Sequence, residues 1–420
     1  MNVNSYFSSF IRRCRDAGLL VVQPRMGFGT VVEMRSGLSD VAKLDFPVIG
    51  TITLDSYTRV GDYRTPQVCL DKGERLNGYP IVTHSAEATR NMLEGLYGTN
   101  FPVQVRHGTA LPQTIFRKLV EIGLDASEGG PVSYCLPYSN IPLYKAIEAW
   151  AESCHILSDG AERAHIESFG GCLLGQLCPP SVLIAVAVLE CLFFHQHGVH
   201  SVSISYAQGT SLIQDRGAIA ALRELAGQYL SGLDWHVVLY TYMGVFPSSF
   251  EGATALIRDS AQLGKETGCE RIIVKTIQEA RQIPSVDDNL YSLQLSSKTA
   301  NDIHSMKMLS QQEVAYRDEI YLEAKILLDE ILSLDVDVGQ CLLKAFNSGL
   351  LDIPYCLHAD NAGRTSSYID TNGALRWARS GSVPIPSNLR YLCCRQNDVS
   401  SSELLNMLNY VANKYDCVTC

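Results

Sequence analysis

The stretch FPVQVRHGTA, residues 101–110, reads as a short buried β-strand that runs straight into an arginine, a histidine and a glycine. Its alternating apolar residues suit extended backbone, and the glycine punctuates its end. Two other places share the layout. QPRMG sets Arg25 behind the apolar run LLVV, and LDSYTRVGDY sets Arg59 behind VIGTIT. Three strands that each deliver a guanidinium at the carboxyl end need a common frame, and a sheet whose strand ends open onto one mouth supplies it.

Working outward, short β-rich runs alternate with amphipathic segments over the first two-thirds of the chain. Strands are predicted at 19–26, 48–57, 79–84, 101–107, 131–138, 165–169, 200–207, 236–243 and 271–276. Between them lie helical segments such as PQTIFRKLVEIGL, IPLYKAIEAWAESC, RGAIAALRELAGQYL and EGATALIRDSAQLGKETG. Serial strand-helix units imply a parallel sheet, and this many favour a closed (β/α)8 TIM barrel over an open doubly wound sheet. Nine runs compete for eight places, with 79–84 and 165–169 the weakest. Past residue 290 the alternation stops. Residues 301–349 read as one long helix or two shorter ones, followed by turn-rich sequence. The expected organisation is a barrel over 1–290 and a C-terminal, mostly helical extension over 291–420.

Composition narrows the function classes. Hydrophobic residues make up 46% and charged residues only 19%, with 32 glycines, which describes a compact enzyme-like globule. A formal charge of −10 supplies no basic face for nucleic acid or an anionic membrane. The most apolar stretch, SVLIAVAVLECLFF at 181–194, is shorter than the roughly 17 to 25 residues of a membrane span and reads as a buried helix. The start, MNVNSYFSSFIRRC, has no signal-peptide core, and the 14 cysteines are scattered through apolar runs, so a cytoplasmic protein with free thiols is expected. CVTC at 417–420 and the Cys393-Cys394 pair lack a second ligand pair at zinc spacing, and no metal site is expected there.

The strand ends carry the chemistry. In order they offer Arg25, Arg59, Arg106 with His107, then Glu128, Tyr134 and Tyr138, then Glu167, and later Lys275 with Glu279. A guanidinium is a planar donor fork matched to a carboxylate, so several at one mouth suit an acidic small molecule. Glu128, in SEGGPVSY, could balance a substrate ammonium or act as a base. Each residue also has a plainer role. A lone arginine is more often a surface ion pair, the two tyrosines can simply pack, and Glu167 can cap a helix. His84, His107 and His155 are not at ligand spacing. No GxSxG, GxGxxG or Walker loop is present, which leaves a bound cofactor to carry any difficult chemistry.

These pieces together resemble a known family. QPRMG, LDSYTR, LNGYPIV, VRHGT, EGGPVSYCLPYSN, ESFG, LCPPS, MGVFP and IIVKTIQEARQIP, followed by DIPYC, DNAGR and SGSVPIP, are similar in order and spacing to the catalytic E (epsilon) subunit of glutamate mutase, also called methylaspartate mutase. One departure is LYTYM ahead of the MGVFP turn, where the family has FHQWM. The resemblance implies that Arg25, Arg59 and Arg106 hold the substrate carboxylates beside His107, and that Glu128, Tyr134 and Tyr138 complete the substrate contacts. It implies that Gly27, Asn77, Pro137, Phe246, Lys275, Glu279 and Ile283 contact adenosylcobalamin, with Glu167 close to the same adenosyl group. Glu128, Arg106 and Glu167 are the expected catalytic residues. The implied reaction is a radical rearrangement of L-glutamate to threo-3-methyl-L-aspartate. HADNAG at 358–363 does not match the DxHxxG signature of a cobalamin carrier. A separate small cobalamin-binding S (sigma) subunit is therefore implied, with two of each chain in a heterotetramer. Two other readings stay open: a relative acting on a modified or carrier-bound amino acid, and a non-catalytic barrel that binds an acidic amino acid.

Overall fold

The computed structural model describes residues 6–162, 164–389 and 399–417. Eight parallel strands form its centre: β1 (Val21–Pro24), β2 (Gly50–Thr53), β3 (Val103–Arg106), β4 (Ala126–Gly129), β5 (His165–Ser168), β6 (Ser201–Ala207), β7 (Asp234–Tyr240) and β8 (Arg271–Val274). Hydrogen bonding runs through them in the order β1-β8-β7-β6-β5-β4-β3-β2. The seam between β1 and β2 is joined by a parallel bridge at Val22–Val48 and by the Thr53 N–H donating to Met26 O at 2.8 Å. The chain is a nearly closed α/β barrel, as expected from the alternating runs.

The helices are α1 (Tyr6–Asp16), α2 (Val31–Ala42), α3 (Ser56–Arg59), α4 (Thr65–Asp71), α5 (Ala86–Leu93), α6 (Gln113–Ile122), α7 (Leu143–Gly160), α8 (Pro180–Gln196), α9 (Leu212–Tyr229), α10 (Phe250–Glu266), α11 (Val286–Asn301), α12 (Gln311–Leu332), α13 (Val338–Ser348) and α14 (Ser401–Asp416). α11 packs on α10, β1 and β8 and takes the eighth place in the outer ring, so residue 290 falls within it. α12 covers α8 and α9 from outside, and α14 lies on α10. The apolar run at 181–194 is indeed helical and sits between the barrel and α12, which is why a helix apolar on every side is stable there. The segment 301–349 resolves into two helices, α12 and α13, and the C-terminal region adds a hairpin of β9 (Ser366–Ile369) and β10 (Leu375–Arg379).

Two of the nine strand runs are not strands. Residues 79–84 make one bridge, Leu54–Tyr79, after which Pro80 removes a donor and the backbone turns, with Thr83 N and His84 N both bonded to Pro80 O. Residues 131–138 form successive tight turns, such as Leu136 N to Val132 O at 3.0 Å. The fourth strand is the polar tetrapeptide ASEG just before them, whose composition carries no β signal and which is held by pairing to β3 and β5. The run at 165–169, the other weak candidate, is a true strand.

The barrel interior is polar to an unusual degree. Gln23 donates to Thr51 Oγ1 and Gln104 Oε1, both at 2.8 Å, while Arg271 and Glu167 pair at its centre with neither side chain exposed. α1 closes the amino-terminal end, where Phe7 stacks on His165 with ring centroids 4.6 Å apart. With that end plugged, the open mouth is at the carboxyl ends of the strands. The Cys393-Cys394 pair and Cys420 lie outside the described residues, and Cys417 is a free, exposed thiol.

Candidate active site

Each side chain reaches the mouth through the element that precedes it. Arg25 follows β1, Arg59 ends the single turn of α3, and Arg106 ends β3. α3 forms because Asp55 caps it, accepting from the N–H groups of Tyr57 and Thr58. Arg59 is then fixed by its Nε donating to Leu54 O at 2.9 Å. Burial, and then the neighbouring Arg25 and Arg106, lower the Arg59 pKa against the opposing pull of Tyr134 and Glu128. All three arginines stand at the same end of the barrel, close enough to influence one another.

Arg106 is 4% exposed, and its Nε lies 2.8 Å from Glu128 Oε2. Burial alone would lower its pKa, but Glu128, Tyr240 and Tyr134 outweigh that and hold the guanidinium above its ordinary value. Glu128, 1% exposed on β4, also accepts from Tyr134 through Oε1 and from Tyr240 through Oε2 at 2.7 Å. Every donor on this carboxylate comes from a different segment. It is held rigidly, as a group that must be aimed has to be.

His107 stacks on Trp150 at 5.6 Å, and its Nδ1 accepts from the Thr109 N–H at 3.2 Å. That bond places the remaining proton on Nε2. Burial, followed by Arg59, pushes the His107 pKa down to about 3, so the ring is neutral. Among the described residues, His107 Nε2 and Arg106 Nη1 are buried without hydrogen-bond partners. Two unsatisfied donors on adjacent residues at a strand end are what an anion-binding site needs.

On the far side of the mouth, one oxygen of Glu279 lies 3.1 Å from both Arg25 Nη1 and Lys275 Nζ. Burial raises the Glu279 pKa, but Lys275 and Arg25 overcome it and keep the carboxyl below its ordinary range. Lys275 is pushed down to about 8 by burial, despite Glu279 beside it, and its ammonium sits 5.3 Å from the centre of the Phe246 ring. Gly27 lies so close to β2 that a Cβ there would fall 2.2 Å from Thr53 O, so no other residue fits.

The remaining expected site residues divide by position. Tyr134 and Tyr138 stand edge to face at 6.1 Å, the first buried and the second 55% exposed on the rim, with Pro137 half-buried between. Asn77 accepts from Ser56 N at 3.0 Å and is exposed, and Ile283 lines a pocket of ≈ 160 Å³ with Phe28 and Leu76. Glu167 is placed deeper than the others. It faces the barrel interior, fully buried, and accepts from Arg271, from Ser203 Oγ at 3.0 Å and from Gln104 Nε2 at 3.3 Å.

Three residues that support the site were not anticipated. Tyr240 closes β7 and Arg271 opens β8, and from sequence a polar residue at a strand end reads the same whether it faces the barrel interior or solvent. Glu190, by contrast, did carry a signal: a lone carboxylate inside an apolar helix must meet donors. It accepts from Val132 N at 3.2 Å, Ser133 N at 2.8 Å, Ser133 Oγ at 3.0 Å and Ser168 Oγ at 2.8 Å, which fixes the turns bearing Tyr134 and Tyr138. A Cβ on Gly130 would lie 2.0 Å from this carboxylate.

The model of the family described as "Methylaspartate mutase E chain (MutE)" matches residues 2–399. The chain is similar to the glutamate mutase epsilon subunit of Yersinia enterocolitica, at 32% identity over 89% of this chain and 79% of that one. It is likewise 31% identical to the epsilon subunits of Escherichia coli O157:H7 and Desulfitobacterium hafniense, each over 91% of this chain and 82% of the relative.

Proposed function

The chain belongs to the methylaspartate mutase E chain family, and on that premise we propose that its barrel mouth interconverts L-glutamate and threo-3-methyl-L-aspartate, with adenosylcobalamin as cofactor. The observation that carries this reading is the pairing of Arg106 with Glu128 at the end of the barrel where Arg59 and Arg25 also stand. A diacid needs two anion sites and its amino group needs one carboxylate. The mouth has that complement.

The residues present also fit the cofactor. Lys275 and Glu279 offer a donor and an acceptor suited to ribose hydroxyls, while Tyr57 on α3 and Val60, Tyr138, Val245 and Ile283 on loops stand exposed, an apolar rim suited to a broad, flat macrocycle. Bound adenosylcobalamin would supply a carbon-centred radical able to remove a hydrogen atom from the substrate. The chain's own task is to hold. Arg106, with His107 Nε2–H beside it, grips one carboxylate, Arg59 and Arg25 are placed to grip the other, and Glu128 balances the ammonium through the rearrangement. Because Arg106, His107 and Glu128 are buried, and Arg25 and Arg59 are held by an ion pair and a hydrogen bond, the reacting fragment is kept from tumbling and from water.

The cobalt ligand is assigned to a separate small cobalamin-binding S subunit, two of each chain forming a heterotetramer. HADNAG is committed to internal contacts: Asp360 accepts from Leu143 N at 2.7 Å, and His358 Nε2 lies 2.9 Å from Ile141 O. Among the described residues, no helix is long and apolar enough to cross a membrane. The test combines the purified chain with such a partner, adenosylcobalamin and L-glutamate. Methylaspartate and a cobalt-coupled radical signal are expected. A stable complex that binds cofactor but turns over no free glutamate would refute this substrate assignment.

A further inference from the structure

Tyr240, the last residue of β7, places its hydroxyl between two buried carboxylates. It is 2.7 Å from Glu128 Oε2 and bonded also to Glu167 Oε1. A phenol has one proton and donates it once. The two carboxylates therefore compete for a single proton, and both contacts persist only because each carboxylate has its own guanidinium, Arg106 for Glu128 and Arg271 for Glu167. The hydroxyl is the joint between two ion pairs. The other titratable groups facing it are Tyr134, which donates to the second oxygen of Glu128, and Cys172 from the loop after β5. Arg106 also lies over the Tyr240 ring, 5.1 Å from its centre.

We infer that Tyr240 is a positioning residue: by bridging Glu128 and Glu167 through its hydroxyl it keeps the Glu128 carboxylate aimed at the mouth, and so sets the preference for an amino diacid over a plain one. The inference rests on the diacid reading above. Without the hydroxyl, the two carboxylates would face each other across a bare ring, and Glu128, left with Arg106 and Tyr134, would be drawn away from Glu167 and out of its aim. A Glu128 out of aim pairs poorly with an ammonium. The arginines, however, keep their hold on the carboxylates.

The experiment compares calorimetric binding of L-glutamate and of glutarate, which lacks the amine, to the full chain as wild type, as Tyr240→Phe, and with 3-fluorotyrosine, an isosteric and stronger donor, at position 240. With Tyr240→Phe, glutarate affinity is expected to stay within about twofold, while L-glutamate weakens by about tenfold. The fluorinated chain, which keeps the native shape and the hydrogen bond, should bind both ligands within about twofold of wild type. Equal losses for both ligands in Tyr240→Phe would mark a merely structural role and overturn the inference, as would a selective loss of L-glutamate affinity in the fluorinated chain. A wild type that binds glutarate as well as L-glutamate would overturn it while leaving the diacid site intact, and binding of neither would overturn both.

Discussion

Arg25 and Glu279 form an ion pair of 3.1 Å that joins the end of β1 to the loop after β8, and the same Glu279 oxygen serves Lys275 at 3.1 Å. Any carboxylate that takes Arg25 must share it with Glu279. Removing that competitor should favour the ligand. Glu279→Gln is therefore expected to tighten binding of a plain diacid such as glutarate by about threefold, the size expected for a partly exposed ion pair. Calorimetry on the full chain measures it, and weaker binding would show that Glu279 supports the anion site instead of competing for it.

Arg106 offers a different separation, between activity and stability. Lysine would keep the positive charge opposite Glu128 but lose the planar fork and the free Nη1. With the cofactor and partner present, Arg106→Lys is expected to lower kcat/KM about 100-fold, the scale of losing a preorganised donor, while stability changes by about 1 kcal/mol or less. Parallel thermal unfolding and kinetics decide it. Comparable losses in both would mean that Arg106 only holds the fold.

Glu190 should act in the opposite sense. Its four donors would be left without an acceptor in Glu190→Ala, at a cost of about 3 kcal/mol, and the turns carrying Tyr134 would loosen. Burial raises its pKa from 4.5 to about 7. A carboxyl raised in this way makes the native state bind the extra proton, so its contribution declines as pH climbs from about 4.5 through about 7. Glu190→Gln cannot titrate. The stability gap between wild type and Glu190→Gln should therefore be wider at about pH 5 than at about pH 8, and a gap that widens with pH would contradict the assignment.

How much of this was legible depended on whether a residue's job left a trace in its neighbours along the chain. Arg25, Arg59 and Arg106 stood at the ends of apolar runs, so both the barrel and the direction of its mouth could be read from them. ASEG could not be read as a strand, because β4 is held by β3 and β5 and owes nothing to its own composition. PVSYCLPY suggested a strand through its aromatic residues, yet its turns are set by Glu190, some sixty positions away, whose bonds no local pattern reveals. Tyr240 and Arg271 were hidden for a third reason. Each is a single polar residue at the end of an apolar run, Tyr240 closing β7 and Arg271 opening β8, and only the closed barrel turns them inward.

Lys275 allows a direct test of how dry the mouth is. Burial disfavours its ammonium and Arg25 adds repulsion, and together they bring its pKa from 10.5 down to about 8 even though Glu279 pulls the other way. A base depressed in the native state binds fewer protons there than in the unfolded chain, so stability should rise as pH goes from about 8 towards 10.5. In the full chain labelled with carbon-13 at the lysine ε-carbon, one resonance is expected to titrate near pH 8, well apart from the rest, and to vanish in Lys275→Met. Glu279→Gln removes the group that favours the charged form, so it should move that midpoint lower still. If every lysine titrates with the bulk, Lys275 is solvated and the mouth is open to water, which would leave a radical rearrangement there without its protection.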